Sequence, residues 1–428
     1  MVGGKYVQED NKEIQNYTKY CLNCKIKPCQ SGCPLLNDIT SFIYEVKEGN
    51  IEGAYKILTD TTVLGAVCGR ICPHEKQCQG SCIRGIKQLP VNIGKIESYV
   101  FDKAINTKLY KSMDKDKTLE GKKIAIVGSG PAGLTAAAFL ARHSADVVIY
   151  EKQEKLGGIL RYGIPEFRLP KDILDKTIDT ILDLGVKCKV NSILGKDYTL
   201  TELKEKYDVV FLAFGANIST KMNISGEEYD GVYGGNQLLE KGNHPDYKGK
   251  KVAVIGGGNV AMDASRTIKR MGAEKVYVIY RRAEEQMPAE KKEIEDAKKE
   301  GIEFLFQNNI VEIFAKDNKK VNEIECIKTE LVQKEGETRK VPVNIENSNY
   351  RMDMDYVVMA VGSKADEQLI DEMHLEKTKY GNIVVDENYM TSSKGVFAAG
   401  DLIGTKSTVA WAARSGREAA ENIIEYLK

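Results

Sequence analysis

Eight thiols crowd the front of this sequence. Cys21, Cys24, Cys29 and Cys33 form one run, Cys-x2-Cys-x4-Cys-x3-Cys-Pro; Cys68, Cys72, Cys78 and Cys82 form a second, Cys-x3-Cys-Pro-x4-Cys-x3-Cys. Thiolates at this density could make a disulfide knot, fill two Zn(Cys)4 sites or ligate iron–sulfur clusters. Short spacings closed by Cys-Pro suit cluster loops in which the last thiol of a run serves the other cluster. Cys188 and Cys326 stand singly and read as small core residues. One carboxylate joins the thiols as a candidate. A helix starting near Pro90 places Glu97 in an apolar stripe with Ile93, Val100, Phe101 and Ala104. A carboxylate there needs a partner, either cluster iron or a lysine such as Lys95 or Lys103. The four histidines, His74, His143, His244 and His374, are dispersed and offer no triad; His74 reads as a loop residue.

Two glycine turns carry the other chemistry. The first, Gly128-Ser129-Gly130-Pro131-Ala132-Gly133, follows the apolar run IAIV and precedes LTAAAFLARH, a helical pattern. Such a turn lets the backbone approach a pyrophosphate, whose charge then rests on the helix N-terminus. The next strand ends at Glu151, 18 residues after Gly133, where an acid accepts hydrogen bonds from ribose hydroxyls. The second turn, Gly256-Gly257-Gly258-Asn259-Val260-Ala261, leads to the strand KVYVIYRR. There Arg281 stands where Glu151 stands in the first copy, and Arg282 follows. An acid repels a ribose 2′-phosphate and two guanidinium groups clamp it, so the swap predicts NADP(H), with NAD(H) possible. Two different nucleotide sites in one chain imply two cofactors that exchange electrons. An acid-ended first site, an inserted second site and a late GVFAAGD describe the two-domain FAD/NAD(P) reductases. In that pattern Gly400 and Asp401 meet the flavin, and the helix opening at Thr408 and Val409 points its N-terminus at the ring, where its dipole stabilises reduced flavin. A flavin downstream favours iron over zinc for the thiols, because zinc cannot pass electrons on.

The elements that position these residues follow from the rest of the chain. At 428 residues two or three domains are expected. The 62 basic and 62 acidic side chains cancel, so no global field points to nucleic acid or to a membrane surface. No apolar run approaches the roughly 20 residues of a membrane helix, and the first residues hold no signal-peptide stretch; a cytoplasmic protein is expected. The fold class expected is α/β, with two nested dinucleotide-binding domains of the glutathione-reductase kind preceded by a helical iron–sulfur domain. Residues 1–115 form the helical domain, in which DITSFIYEVKEGNIEGAYKIL gives two short helices broken at Gly49. The charged stretch 108–123 reads as a linker. Residues 116–248 and 366–428 make the flavin domain and 249–365 the inserted nicotinamide domain.

The motifs CLNCKIKPCQSGCP, AVCGRICPHEKQCQGSC, GSGPAG, GGILRYGIPEFRLPK, GGGNVAMDASRT, YRRAEEQMPA and AAGDLIGTKSTVAWAARSGREAA together resemble one family over residues 20–428. This is the small subunit of bacterial glutamate synthase and its relatives, which include the N-terminal half of dihydropyrimidine dehydrogenase and the large subunit of NADH-dependent reduced ferredoxin:NADP oxidoreductase. The resemblance implies FAD, NADP(H) and two 4Fe-4S clusters. Carried over by position, one cluster takes Cys21, Cys24, Cys29 and Cys82, the other Cys33, Cys72, Cys78 and Glu97, and Cys68 binds no metal. It also places Gly158 and Arg161 near the flavin pyrophosphate and ring. Cys68 sets this chain closer to the dihydropyrimidine dehydrogenase and ferredoxin:NADP oxidoreductase types than to glutamate synthase. The implied role is an electron-input subunit that takes hydride from NADPH and relays electrons to a partner subunit or ferredoxin. A ferredoxin-coupled, bifurcating transhydrogenase and a dihydropyrimidine dehydrogenase subunit are the neighbouring alternatives. A zinc-structured disulfide reductase and a non-enzymatic redox sensor or scaffold are those of another class.

Overall fold

The computed structural model describes residues 11–112, 115–317, 319–333 and 340–428. The chain forms two compact units, Met1–Ala216 with Ala365–Lys428, and Asn217–Lys364.

The first unit opens with helices Asn11–Lys19, Ile39–Lys47, Ile51–Thr59, Gly65–Ile71 and Ile93–Asn106. Side-chain caps set their starts: Asp38 accepts from the Ser41 amide, Asn50 from Gly53 and Asn92 from Lys95. The cap at Asn92 delays the Glu97 helix to Ile93, a few residues beyond Pro90. Gly49, at φ +81°, separates the second and third helices as expected. A five-stranded parallel sheet follows, in the order Val396–Ala398, Val209–Leu212, Lys123–Val127, Asp146–Tyr150, Lys187–Lys189. Strand Val396–Ala398 pairs with Val209–Leu212, so the C-terminal segment does return to the first sheet. Helices Pro131–Arg142 and Val409–Leu427 pack together beside it. The core is continuous with that of the cysteine-bearing helices: Leu35, Phe42 and Ile96 belong to the same buried cluster as Ile124, Leu134 and Ile423. The expected linker is attached on its described part. The Asp116 amide donates to the Arg142 carbonyl, the Leu119 amide to that of His143, and Leu119 is buried; residues 113–114 of that stretch lie outside the described residues.

In the second unit the parallel sheet runs Val232–Gly234, Tyr356–Met359, Lys251–Ile255, Lys275–Tyr280, Glu303–Phe306. An antiparallel sheet of Asn308–Lys316, Lys320–Val332, Val341–Asn344 and Tyr350–Asp353 completes it. The unit begins at Asn217, earlier than the sequence division at 249. Residues 217–248 carry no motif, and it is the pairing of Val232–Gly234 with Tyr356–Met359 that assigns them. No helix among the described residues is long and apolar enough to cross a membrane.

Candidate redox centres

At the first glycine turn, Gly128 has φ +101° and a Cβ there would lie 2.5 Å from the Ala213 carbonyl oxygen, so only glycine serves. Gly130 is the extended N-cap of helix Pro131–Arg142, and a Cβ on it would meet nothing, which leaves the mouth of the turn open. Gly133 packs against Gly128. Glu151 is buried at the end of its strand; its carboxylate accepts from the Ser129 amide at 3.0 Å, from the Ser129 hydroxyl, and from the Gln153 amide at 2.9 Å. The expected ribose-binding acid is thus held at the turn. Ser129 was not singled out in the sequence, yet its Oγ also accepts from the Gly157 amide at 2.9 Å and so ties the following loop down. Gly158 consequently lies over the turn, its would-be Cβ 2.8 Å from the Gly130 Cα. Arg161 is anchored sideways: Nε donates to the Leu156 carbonyl and the guanidinium pairs with Asp175.

The C-terminal segment closes on the same turn. A Cβ on Gly400 would sit 3.1 Å from the Ala132 Cβ, and one on Gly416 would sit 2.8 Å from the Ala132 Cα. Asp401 is raised above the usual carboxylate range by burial, opposed by the Thr405 hydroxyl at 2.8 Å. Thr408 caps helix Val409–Leu427 through the Trp411 amide. Gly128 to Gly133, Glu151, Gly158 and Gly400 therefore converge, and their open, donor-rich turn fits the pyrophosphate and ribose of FAD.

In the second unit Gly256, at φ +134°, abuts the Ala360 carbonyl, and Gly258 is the extended N-cap of helix Asn259–Arg270. Asn259 Oδ1 accepts from the Glu290 amide at 3.1 Å, and Val260 packs on Gly235. Arg281 and Arg282 follow strand Lys275–Tyr280. Their carbonyls are engaged by the Thr329 hydroxyl at 2.8 Å and the Gln307 amide at 3.1 Å, which fixes the backbone and leaves the guanidinium groups to other uses. Arg281 is exposed, and Arg282 Nε is buried without a hydrogen-bond partner among the described residues. An orphaned guanidinium nitrogen there suits a 2′-phosphate.

The thiols divide into two neighbourhoods. Cys21, Cys24, Cys29 and Cys82 line one cavity with Ile39, Ile43 and Val91. Cys33, Cys78 and Glu97 are electrostatic neighbours of one another, with Cys72 and Cys68 beside them. None of these thiols is joined in a disulfide. No three ligating side chains among the described residues converge at single-ion spacing. Burial pushes Cys29 up to about 11 and Cys33 up to about 12, the latter with help from Glu97. Burial also lifts Glu97 to about 8, opposed by the Asn37 amide, whose Nδ2 donates to Glu97 Oε1 at 3.1 Å. The expected lysine partners face elsewhere: Lys95 lies 3.8 Å from Glu13, and Lys103 lies over the Tyr99 ring. A buried set of thiols and a carboxyl stays neutral unless positive charge joins it, and a bound iron–sulfur cluster would supply that charge. The donor set fits clusters. His74 packs its ring on Gly94, and burial lowers it to about 4.

Sequence reading missed what fastens this region to the flavin turn. Thr61 Oγ1 donates to Asn37 Oδ1 at 2.7 Å, and Arg417 donates to the carbonyls of Thr61 at 2.9 Å and Leu35 at 3.1 Å. Arg414 reaches the Pro34 carbonyl at 3.2 Å. Both arginines sit some 380 residues downstream of the turn that they grip, on a helix whose periodicity marks only its apolar face.

Residues 122–419 match the model of the pyridine nucleotide-disulphide oxidoreductases, and residues 4–109 match dihydropyrimidine dehydrogenase domain II, a 4Fe-4S cluster domain. The glutamate synthase [NADPH] small chain of Escherichia coli (strain K12) is 34% identical over 426 residues, covering 95% of this chain and 90% of that protein. The chain belongs to the glutamate synthase small-chain family of pyridine nucleotide-disulphide oxidoreductases. This family member is also 34% identical over 411 residues to the NAD-dependent dihydropyrimidine dehydrogenase subunit PreT of Escherichia coli O157:H7, covering 95% of this chain and 93% of that one. In fold it is similar to Mycobacterium tuberculosis FprA solved with NADPH, at TM-score 0.62 and 21% identity over 72% of this chain and 84% of that one. It is an NAD(P)H-dependent flavin oxidoreductase with an iron–sulfur domain.

Proposed function

We propose that this chain is the electron-input subunit of a larger oxidoreductase, oxidising NADPH and delivering single electrons to a partner protein. The observation that carries the reading is the shared core of the first unit, in which arginines of the flavin-facing helix grip the Cys33-Pro34 turn. Flavin, when bound, turns a two-electron hydride donor into a source of single electrons, which 4Fe-4S clusters carry onward. Arg281 and Arg282 select the 2′-phosphate, while Gly256, Gly258, Asn259 and Val260 receive the pyrophosphate. Gly128, Gly130, Pro131, Ala132, Gly133 and Glu151 bind the flavin nucleotide. Gly158, Arg161, Gly400, Asp401, Thr408 and Val409 orient its ring end. Cys21, Cys24, Cys29 and Cys82 hold one cluster, and Cys33, Cys72, Cys78 and Glu97 hold a second.

A disulfide reductase needs paired thiols against the flavin, whereas Cys188 is exposed on one strand and Cys326 is buried in the other unit. Cys68 supports a second reading within the class, a dihydropyrimidine dehydrogenase or ferredoxin:NADP oxidoreductase type of assembly, since its buried thiol adjoins the second set. The test is anaerobic purification of the native protein with its companion, followed by iron, acid-labile sulfide and flavin analysis. Iron-free material, or material that NADPH does not reduce, overturns the proposal. A large amidotransferase companion supports a glutamate synthase, and a pyrimidine-reducing companion supports the second reading.

A further inference from the structure

The segment that follows Arg282 is strapped across the second glycine turn. The Ala289 amide donates to the Gly257 carbonyl at 3.1 Å, and a Cβ on Gly258 would lie 3.9 Å from the Pro288 ring. Met287 and Ala289 are buried in the core of the same unit. The Glu290 amide donates to Asn259 Oδ1 at 3.1 Å. That bond settles which way the Asn259 amide faces: its oxygen is engaged by the strap, and its nitrogen is left as a donor.

An ion network away from the turn holds the strap. Arg266 stands seven residues after Asn259, two turns on along the same face of helix Asn259–Arg270. It is 5% exposed, and its guanidinium pairs with Glu293, itself 7% exposed, with Glu300 at 2.8 Å and with Asp296 at 3.7 Å. Glu293 and Asp296 lie on helix Lys291–Lys299, Glu300 is its C-cap and Glu290 its N-cap. The two helices are therefore clamped at two points, Asn259 to Glu290 and Arg266 to Glu293. Apolar residues would join them without the cost of desolvating charge; a forked ion pair fixes their register. The backbone of the 2′-phosphate arginines is held separately, by the Thr329 hydroxyl and the Gln307 amide. Loosening the strap consequently reaches the glycine turn and spares Arg281 and Arg282.

We propose that Arg266 is a positioning residue for nicotinamide nucleotide binding: through Glu293 it holds the strap, and through Glu290 it keeps the Asn259 amide nitrogen toward the pyrophosphate that NADPH and NADH share. The inference rests on the placement of the nucleotide at this turn, proposed above, and adds what holds the turn ready. The test is calorimetric titration of the anaerobically purified holoprotein with NADP+, beside steady-state KM and kcat for NADPH and NADH. Arg266→Met is expected to weaken NADP+ binding by about tenfold and to raise both KM values alike, with the loss in KM rather than kcat. Glu293→Gln should weaken binding by about threefold, and Arg266→Lys, which keeps the charge without the fork, should retain more affinity than Arg266→Met. A double-mutant cycle separates this role from a structural one. In an Asn259→Ala background Arg266→Met should cost less than about a further twofold, because its effect runs through Asn259. A merely structural arginine lowers the melting temperature and leaves that coupling at zero. Unchanged affinity in Arg266→Met and Glu293→Gln, full independent losses in the double variant, or a rise in KM for NADPH alone overturns the proposal. Should Arg266→Met fail to fold, Glu293→Gln with Asn259→Ala runs the same cycle. Asn259→Ala that leaves NADP+ binding unchanged fails the placement of the nucleotide instead.

Discussion

Glu97 is a carboxyl group buried among thiols, and burial lifts it to about 8, so that its ionised form is disfavoured there unless positive charge joins it. If iron supplies that charge, Glu97→Ala removes one ligand and its cluster, so bound iron is expected to fall by about half while the Cys21 set keeps its share. Unchanged iron in a colorimetric assay would show that the carboxylate is no ligand. Asn37 holds the other end of that carboxylate at 3.1 Å. Asn37→Ala should therefore lower metal affinity by about 10- to 100-fold, read as faster iron loss to a chelator in the oxygen-free protein. In the second unit, Arg281→Ala with Arg282→Ala takes charge-assisted bonds from the 2′-phosphate. About a 10- to 100-fold rise in KM for NADPH, with NADH little affected, is the expected outcome in steady-state assays. Equal losses with both nucleotides would place the arginines outside the phosphate site.

Among the elements, helix Val409–Leu427 does three jobs. Its N-terminus is capped by the Thr408 side chain, its Gly416 packs on the backbone of helix Pro131–Arg142, and its arginines hold the Cys33-Pro34 turn. Backbone atoms of Ala132 cannot yield to a side chain. Gly416→Val is expected to cost about 1–3 kcal/mol by overpacking and to loosen the glycine turn, so flavin should be lost on gel filtration together with a lowered melting temperature. A variant that keeps flavin and melts as before would mean that the two helices are less tightly coupled than their contact implies.

At the scale of the whole molecule, the cysteine-bearing helices are not an appendage. They share a hydrophobic core with the flavin sheet, while Asn217–Lys364 has cores of its own. Removing iron should therefore destabilise the first unit as a whole and leave the second untouched. Hydrogen exchange before and after anaerobic chelation tests this: faster exchange is expected in helices Ile39–Lys47 and Pro131–Arg142, and no change in strands Lys251–Ile255 and Lys275–Tyr280. Faster exchange confined to the cysteine segments would show that the shared core does not transmit the loss.

Short-range chemistry made much of this legible before any coordinates. Cysteine spacing, two glycine turns each between an apolar strand and a helix, and an acid at one strand end against arginines at the other are local signals, set by residues a turn or two apart. They were enough for the family, for the return of GVFAAGD to the first sheet and for the oddness of Glu97. What only the tertiary structure decided depends on residues far apart in the chain. The boundary at Asn217 follows from one strand's pairing with another more than a hundred residues away. Ser129 as the clasp between Glu151 and Gly157, and Asn37, Thr61 and Arg417 as the link from Glu97 to the C-terminal helix, are hydrogen bonds of common side chains. Nothing in a serine, an asparagine or an arginine announces its partner until folding brings the two together and burial makes the bond worth keeping.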